Sequence, residues 1–509
     1  MPNFLFSPLR RMPPSRFRRT AWSLCVCLLT VSAWGSRPEK MKVIPLEELG
    51  QQSAGGRPQT QGNTVATVHF VDEHHLLVTF PVRRLMKRLQ DTQAGDDDRM
   101  IEAVLVDIPS GKVAARTTWR VHDSGQYLWD LGHGRFMLRV RSRLVTVEPL
   151  ANLSKPEPFE EHKLLNFDDR IVGLIVSAES DLLTVETTSQ PLPDGIHPVP
   201  KFDGADVIIS FFRLNHGGET VTAVHAGSVR SSVPLALPVT ADGYLDISAE
   251  SKTRWLFDYL PHEGKKVELS PYDTSCFPRA VFVSRTEFVA FGCRGSVDKI
   301  EIGGFNMKAE ELWEQGFTDA FAYPTFSCAP AAGRFVLGRA LSSISLGMLP
   351  PDQDPIGDQL TGQDIQVYQS STGRVVFHTV VTPVQRTGQN FSLSADGMQL
   401  AVIRDGAIEI HQLPALSGHD KQDVKANREF ALEHASGPIR LPTRTRVATV
   451  AAASAPPPPP SAPAVQAQAT PATPGKPQVI ENPVNVGDVP TAEGRKRPTL
   501  YEPGEAAPK

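Results

Sequence analysis

The chain has 509 residues, a formal net charge of −4 and a hydrophobic fraction of 40%. This length allows two or three domains, or one large repeat array with tails, and the apolar content is sufficient for a core. The small net negative charge argues against a surface that binds nucleic acid in general, so we expect no nucleic-acid partner.

Residues 1–35 have the pattern of a secretory signal peptide. Five arginines between residues 10 and 19 precede an apolar run over residues 21–33, and Ala33-Trp34-Gly35 offers small residues for cleavage. The apolar run is short for a membrane span. We therefore predict a secreted or periplasmic protein. The alternative is an uncleaved anchor, which would be the one contact with a membrane.

Residues 36–63 predict an extended lead-in, within which Met41–Leu46 has the composition of one strand. From residue 64 to about residue 440, short runs of alternating apolar and polar residues recur between turn residues. These runs predict seven units of four strands, which we label a to d from the axis outward. Units of about 40 to 60 residues are typical of propeller blades with insertions.

The fourth unit has the least regular pattern of the seven. Unit four is predicted to begin with an inner strand at Val233–Leu237. Unit five is predicted to end with strands at Ser296–Ile302 and Phe305–Glu314. Unit seven is predicted to take its outer strand from residues near Arg428–Glu433.

The last unit has the clearest pattern, FSLSADGMQLAVIRDGAIEIHQL at Phe391–Leu413. Asp396-Gly397 and Asp405-Gly406 are dipeptides that favour tight turns. Between and after them, the residues predict short strands, the last with Ile408 and Ile410 alternating with polar residues. A lone three-stranded meander buries too little apolar area to be stable in water, so this one must pack against copies of itself or another layer.

At these residues the chain resembles the WD40-like, YVTN and TolB-like propeller repeats. Those repeats share a strand ending in S-x-D-G, an L-A-V strand and a strand of the I-x-I or V-x-V type. The resemblance covers about one blade and implies a propeller, but no specific function. With the unit count, it predicts an all-β fold, a seven-bladed β-propeller of four-stranded antiparallel blades over residues 64–440, with disordered N- and C-terminal extensions.

Similar turns occur at the same c–d position of different units, PSGKV at Pro109–Val113 and STGRV at Ser371–Val375. This recurrence favours a repeat fold. Six or eight blades, and a pair of β-sandwich domains, are alternatives that short strands at regular spacing also allow.

Residues 441–509 differ in composition from the repeats, with segments such as APPPPPSAPA and QATPATPGKP. Sequence rich in proline and alanine cannot bury a core and stays extended. We predict a disordered tail, which is either a plain flexible tail or a spacer or docking segment for a partner.

The long insertions fall at Pro81–Ile101, Thr187–Ala205 and Ala340–Gly362. All three are predicted b–c loops, and in a propeller the b–c loops and the d–a connections share one face, here called the b–c face. The a–b and c–d turns share the opposite face, the a–b face. Because loops on a rigid scaffold commonly carry function, we nominate the b–c face as the binding face.

The first insertion contains a candidate binding loop. Its basic residues, interleaved with Leu85, Met86 and Leu89, are Arg83, Arg84, Lys87 and Arg88. At helical spacing they predict a short amphipathic helix that meets an acidic partner, a phosphate or a membrane surface, and a solvated loop helix is the alternative. The following run of three aspartates lacks the D-x-D-x-D-G spacing of a calcium loop, so we expect no metal.

Three cysteines remain after the predicted cleavage, Cys276, Cys293 and Cys328. The strand map places Cys276 in the d–a connection that enters unit five and Cys293 at the b–c turn of the same unit. Since both lie on one face of one blade, we predict that Cys276 and Cys293 form a disulfide. We expect Cys328 to be a buried free thiol.

Catalytic motifs are scarce: the chain has no G-x-S-x-G, no Walker loop and no G-x-G-x-x-G turn. Four histidines would be candidates if they converged in a channel, as in propeller lactonases or quinoproteins, but their spacing does not support this: His197, His216, His225 and His378. We expect no catalytic residues and no cofactor.

Three functional hypotheses follow. The first is an exported scaffold that binds a protein or a cell-envelope component through the b–c face. The second is a propeller hydrolase, lactonase-like, with its site in the central channel. The third is a membrane-tethered sensor domain. Propellers host many unrelated functions, so the fold by itself does not choose among them.

Overall fold

The computed structural model describes residues 40–51, 66–82, 99–122, 125–189, 207–262, 265–295, 299–317, 321–343, 359–382, 384 and 389–434. Within these residues the chain forms seven antiparallel sheets arranged as blades, and the predicted all-β, seven-bladed propeller is confirmed. The predicted signal peptide, residues 1–35, and the predicted tail, residues 441–509, lie outside the described residues. None of the described helices is long and apolar enough to cross a membrane.

Five blades are meanders of four consecutive strands. Blade 1 contains β2 (Thr67–Phe70), β3 (His75–Val82), β4 (Arg99–Asp107) and β5 (Lys112–Val121). Blade 2 contains β6 (Leu128–Asp130), β7 (Phe136–Val140), β8 (Arg143–Val147) and β9 (His162–Asn166). Blade 3 contains β10 (Arg170–Val176), β11 (Leu182–Thr188), β12 (Val207–Asn215) and β13 (Thr222–Ser231).

The other two meanders are blades 5 and 6. Blade 5 contains β19 (Arg279–Phe282), β20 (Glu287–Cys293), β21 (Ile300–Asn306) and β22 (Glu311–Phe317). Blade 6 contains β23 (Phe321–Ala329), β24 (Arg334–Ser342), β25 (Leu360–Gln369) and β26 (Arg374–Val381).

Blades 4 and 7 depart from this plan. Blade 4 contains β14 (Val239–Thr240), β15 (Gly243–Ala249) and β16 (Arg254–Pro261), and its outer position is divided between β17 (Val267–Glu268) and β18 (Tyr272–Asp273). Blade 7 contains β27 (Phe391–Leu393), β28 (Gln399–Arg404), β29 (Ala407–Gln412) and, as its outer strand, β1 (Lys40–Pro45).

The core lies between the blades, because successive side chains of a strand point to opposite faces of its sheet. In β3, Leu76 and Val78 pack toward blade 7, whereas Leu77 between them packs toward blade 2. One buried apolar cluster occupies each of the seven interfaces between neighbouring blades. Each sheet, which would be only marginally stable alone, is therefore buried on both faces by its two neighbours, and the seven sheets form a continuous ring.

The ring is closed by β1, which pairs antiparallel with β29 and brings Ile44 opposite Ile408. The segment predicted as an extended lead-in, residues 36–63, therefore supplies a strand of the propeller itself. The outer strand predicted near Arg428–Glu433 is wrong, since these residues belong to the helix α1 (Gly418–Glu433). Ser417 caps α1 in a capping box with Asp420, and β1 already occupies the edge of β29.

Blade 4 begins later than predicted. Residues Val233–Leu237 are not a strand, and the inner strand is β14 at Val239–Thr240. Pro234 and Pro238 have no backbone N–H to donate, which disfavours a ladder through this segment. The carbonyl of Pro238 instead accepts a hydrogen bond from Leu245 N at 2.9 Å.

Blade 5 is shifted relative to the prediction, which placed its c–d turn near Gly303-Gly304. These glycines lie inside β21, and the turn is at Met307–Glu310. A Cβ on Gly303 would lie 2.8 Å from the Phe305 ring, and one on Gly304 would lie 2.3 Å from the Trp313 ring. The glycines thus allow aromatic rings to pack over the strand, which is a second role of glycine in sheets besides turns.

The segment after β29 is fixed to the a–b face. Arg334, which is 1% exposed, donates from its Nη1 to Gly397 O at 2.7 Å and from its Nη2 to Pro414 O at 2.6 Å. Leu413 N donates to Met398 O at 2.8 Å. These bonds direct the chain across the a–b turns of blades 6 and 7, so that α1 starts on the a–b face.

Candidate functional site

Only part of the nominated b–c face lies within the described residues. The residues Arg83, Arg84, Lys87 and Arg88 lie outside the described residues, as do most residues of the three long insertions. Each insertion does join a b strand to a c strand: β3 to β4, β11 to β12 and β24 to β25. The b–c placement of the three insertions therefore follows from the topology, and the role of the basic loop stays a prediction.

A cavity of about 570 Å³ lies among the inner strands of blades 3 to 6, and it is our candidate site. Most of its walls are apolar, with side chains from β10, β19, β20 and β23: Ile175, Val176, Val281, Phe291 and Phe326. Phe291 and Phe326 stack with their ring centroids 6.1 Å apart. A concave apolar cavity of this size is typical of ligand sites.

The rim of this cavity is formed by d–a connections, which belong to the b–c face. Phe277 lies in the connection into blade 5, and its side chain is 61% exposed. Its ring meets that of Trp255 edge-on at 5.1 Å. An exposed aromatic side chain beside an open apolar cavity is a feature of binding surfaces rather than of closed cores.

The opposite part of the rim is held by a buried carboxylate. Glu186, 2% exposed, accepts hydrogen bonds from the backbone N–H groups of Leu235 at 3.2 Å and Ala236 at 2.8 Å. Burial raises the pKa of Glu186, and the two N–H donors oppose that rise. Gly173 leaves room for this carboxylate, because a Cβ there would lie 2.6 Å from Glu186 Oε2.

On the other side of the axis the inner strands are joined directly. Val68 N donates to Gln389 O at 2.8 Å, and Phe70 N donates to Ser392 Oγ at 3.1 Å, which links blades 1 and 7. Leu393 N donates to Ser327 Oγ at 3.0 Å, which links blades 7 and 6. The open volume is thus displaced toward blades 3 to 6.

The a–b face carries a second cavity, of about 440 Å³, with charged walls. Arg285, in the a–b turn of blade 5, forms ion pairs with Asp181 of blade 3 and with Asp242 of blade 4, the latter at 3.4 Å. Glu179 and Glu287 also line this cavity, and one side of it is formed by α1. We call it the charged cavity, and the first one the apolar cavity.

The two cavities follow one another along the same inner strands. On β19 and its a–b turn, Val281 lines the apolar cavity and Arg285 the charged one. On β23 and its a–b turn, Phe326 lines the apolar cavity and Ala331 lines the charged one. On β10 and its a–b turn the two linings are adjacent in sequence, with Ala178 on the apolar cavity and Glu179 on the charged one.

The structure joins Cys276 and Cys293 in a disulfide, with a Cα–Cα distance of 5.4 Å. The bond connects the d–a connection that enters blade 5 to the b–c end of β20, on the b–c face. Cys328 is a free, half-buried thiol near the a–b end of β23. Exclusion of water raises the pKa of the Cys328 thiol to about 12, which keeps it protonated and unreactive.

The described histidines do not converge. His216 bonds through Nε2 to the carbonyl of Ser180 at 2.7 Å, His225 pairs with Ser228, and His378 pairs with Asp364 at 2.5 Å on the flank of blade 6. His197 lies outside the described residues. Within the described part of the chain, no group of three or more His, Cys, Asp or Glu side chains is arranged to hold a metal ion.

Comparisons with known proteins concern the fold. No family model and no curated protein matches the chain. An acylaminoacyl peptidase from Pyrococcus horikoshii is similar at 8% identity and a TM-score of 0.40, over 72% of this chain and 55% of the peptidase. This chain thus spans about half the length of that peptidase.

Two further solved structures show the same kind of likeness. TolB from Acinetobacter baumannii is similar at 12% identity and a TM-score of 0.32, over 64% of this chain and 79% of TolB. The β-propeller domain of Cps50 (Swd1) from Myceliophteria thermophila is similar at 11% identity and a TM-score of 0.34, over 70% of this chain and 99% of that domain. At identities and TM-scores this low, these likenesses say nothing about the activity of this chain.

Sequence reasoning nominated the b–c face, which stays a prediction, and missed both cavities. The residues of the apolar cavity come from four blades, and in the sequence they cannot be told from ordinary core residues. Arg285 carries one signal: an arginine in the turn Ser284-Arg285-Thr286, between two strands of a predicted repeat, where small or acidic turn residues are usual.

Proposed function

We propose that this chain is an exported binding protein that accepts an apolar segment of a partner, a protein or a cell-envelope component, in the apolar cavity of the b–c face. The observation that carries this proposal is the cavity of about 570 Å³ with Phe326 in its wall and the exposed Phe277 at its rim. Burial of apolar surface is the main source of affinity in such sites.

Two other features support the proposal. The three long insertions join b strands to c strands, and the ends of β3, β11 and β24 from which they start lie on this face. The disulfide Cys276–Cys293 is typical of proteins in oxidising compartments, which supports the secreted or periplasmic location predicted from residues 1–35.

The wall of the apolar cavity favours binding over hydrolysis. A hydrolase site in the channel would need converging carboxylate or histidine side chains. The side chains that line the cavity are instead mostly aliphatic or aromatic, and its charged members are Asp246 of β15 and Arg279 of β19. This composition suits recognition by shape and burial, without a chemical step.

The test uses an environment-sensitive naphthalene sulfonate dye with the full chain. We expect saturable binding to the native protein that Phe277→Ser weakens about tenfold, because one aromatic side chain contributes on the order of 1.5 kcal/mol of burial. Val224→Ser is the matched control, since Val224 lies on the outer strand β13, is also 61% exposed and lines neither cavity, and it should leave binding unchanged.

The partner itself is sought with a photo-crosslinking residue at position 277 and, as a control, at position 331 on the a–b face. A discrete adduct from position 277 alone would support the proposal. If Phe277→Ser leaves dye binding unchanged, or if adducts form from position 331 alone, the proposal is contradicted and the binding site lies on the a–b face.

A further inference from the structure

The helix α1 covers the charged cavity on the a–b face, and its two halves are attached differently. In the first half, Arg374 Nη2 bonds to Asp420 Oδ2 at 2.8 Å, and Ser371 Oγ bonds to Asp423 Oδ2 at 3.0 Å. Asp420 is 2% exposed and closes the capping box with Ser417. Two side-chain bonds to blade 6 and a complete N-cap fix this half.

The first half also packs closely on the blade. Gly333, which follows the 3-10 turn Pro330–Ala332, has no side chain, and a Cβ there would lie 2.8 Å from Val424 Cγ2. Its φ of +58° is a second reason for glycine at this position. The helix therefore lies against the backbone of blade 6 near Val424, and little space is left for movement there.

The second half is held by fewer contacts. Asn427 Nδ2 donates to Glu287 Oε1 at 2.6 Å, and Lys308 Nζ lies 5.1 Å from the centre of the Phe430 ring. Asn427, Arg428 and Leu432 line the charged cavity, yet the Leu432 side chain is 68% exposed. This half thus forms one wall of the cavity without burying an apolar stripe against the propeller.

Glu287 keeps a partner when Asn427 leaves. Ser370 Oγ donates to Glu287 Oε2 at 2.5 Å, independently of α1. Release of the second half therefore costs one hydrogen bond to a carboxylate, one cation–π contact and the attraction between Arg428 and Glu179, and it does not leave Glu287 without a donor. Elements with so few buried apolar contacts belong to the least stable parts of a fold.

We propose that α1 is a hinged lid, fixed over Asp420–Val424 and opening at Asn427–Glu433, that controls the access of small charged solutes to the charged cavity. The mouth it covers has acidic groups on two blades, Glu179 and Asp181 of blade 3 and Glu287 of blade 5, and Arg285 also lines it. This device is separate from the binding proposed for the b–c face.

The first measurement is amide hydrogen exchange of the full chain. Asn427→Ala should speed exchange of the amides of residues 429–434 about tenfold, the effect of losing one hydrogen bond to a charged group, and leave the amides of residues 422–425 unchanged. Lys425→Ala is the control, because Lys425 contacts Glu429 on the helix surface at 3.7 Å and should change neither set.

The second measurement is thiol labelling of Thr286→Cys in a Cys328→Ser background of residues 36–509, which lacks Cys25 and Cys27. Thr286 lines the charged cavity and is 5% exposed, so a charged alkylating reagent reaches it when the lid opens. Asn427→Ala, and separately Phe430→Ala, should raise the labelling rate about tenfold. Equal exchange along the whole of α1, or labelling rates that neither variant changes, would overturn the hinged lid.

Discussion

Arg285 of blade 5 forms an ion pair with Asp181 of blade 3, although blade 4 lies between these two blades. The same guanidinium reaches Asp242 of blade 4, with Nε 3.4 Å from Oδ2. One side chain thus joins the a–b turns of three successive blades at the axis. The arrangement depends on the propeller, since the three residues are far apart in the sequence.

Replacement of this guanidinium should destabilise the fold. Arg285→Met leaves Asp181 and Asp242 as neighbouring, partly buried carboxylates without their cation, and we expect a loss of about 1–3 kcal/mol, reduced from the fully buried case by partial exposure. Urea unfolding measures it. Arg254→Met is the matched control: its pairs with Glu250 and Asp273 are exposed, and its loss should stay below about 1 kcal/mol. Equal losses for both variants would contradict a structural role of Arg285.

Because β1 closes the ring, we expect substitutions at two adjacent residues of β1 to lower the free energy of unfolding by very different amounts. Ile44 is 2% exposed in the cluster between blades 7 and 1, whereas Val43 points outward and is 44% exposed. Ile44→Ala should cost about 2–5 kcal/mol of unfolding free energy, and Val43→Ala less than about 0.5 kcal/mol. Denaturant unfolding of both variants checks this, and similar values for the two would mean that β1 is not packed in the ring.

Removal of residues 40–45 tests the same closure differently. It would expose the hydrogen-bonding edge of β29, which β1 covers. Uncovered edges pair with other chains, so we expect concentration-dependent oligomers in size-exclusion chromatography. A monomeric truncated protein of unchanged stability would be the contrary result.

The disulfide predicts a stability difference and a thiol count. Replacing Cys276 and Cys293 together by serine opens a loop of sequence separation 17 and should cost about 3 kcal/mol in the chain-entropy model. Cys328→Ser is the control outside this loop. On residues 36–509 we expect one reactive thiol after unfolding without reductant and three after reduction, and three thiols without reductant would mean that the bond does not form.

Two buried histidines predict acid sensitivity. Burial lowers the pKa of His69 and of His262 from 6.5 to about 4. Between pH 6.5 and pH 4 the unfolded chain therefore binds more protons than the native chain. The contribution of these histidines to the free energy of unfolding is fully present above pH 6.5 and is lost as the pH decreases toward 4. Each histidine accounts for up to about 3 kcal/mol over this window.

The variant His262→Leu should make this decline shallower, because it removes one titrating group from the native interior. His419→Gln is the control, since His419 lies on the exposed surface of α1 and is 73% exposed. Unfolding midpoints measured in buffers from pH 7 to pH 4 give the slope. An unchanged slope in His262→Leu would show that this histidine has the same pKa in the native and the unfolded chain.

Local chemistry made most strands predictable. The turn dipeptides Asp396-Gly397 and Asp405-Gly406, and the alternation at Ile408 and Ile410, act over a few residues, so the sequence predicts the meander directly. The same local reasoning missed α1, whose start is marked by Ser417 and Asp420 in a capping box. It also placed the c–d turn of blade 5 at Gly303-Gly304, where glycine makes room for aromatic rings.

The sequence by itself thus determined the blade plan, the seven-fold repetition and the b–c location of the long insertions, because strand alternation and turn geometry are short-range properties. Only the tertiary structure decided which strand closes the ring, which side chains form the two axial cavities and where α1 lies. Those features depend on contacts such as Ile44 with Ile408 and Arg285 with Asp181, made between residues more than 100 positions apart. Such contacts are determined by the packing of whole blades, which no local pattern records.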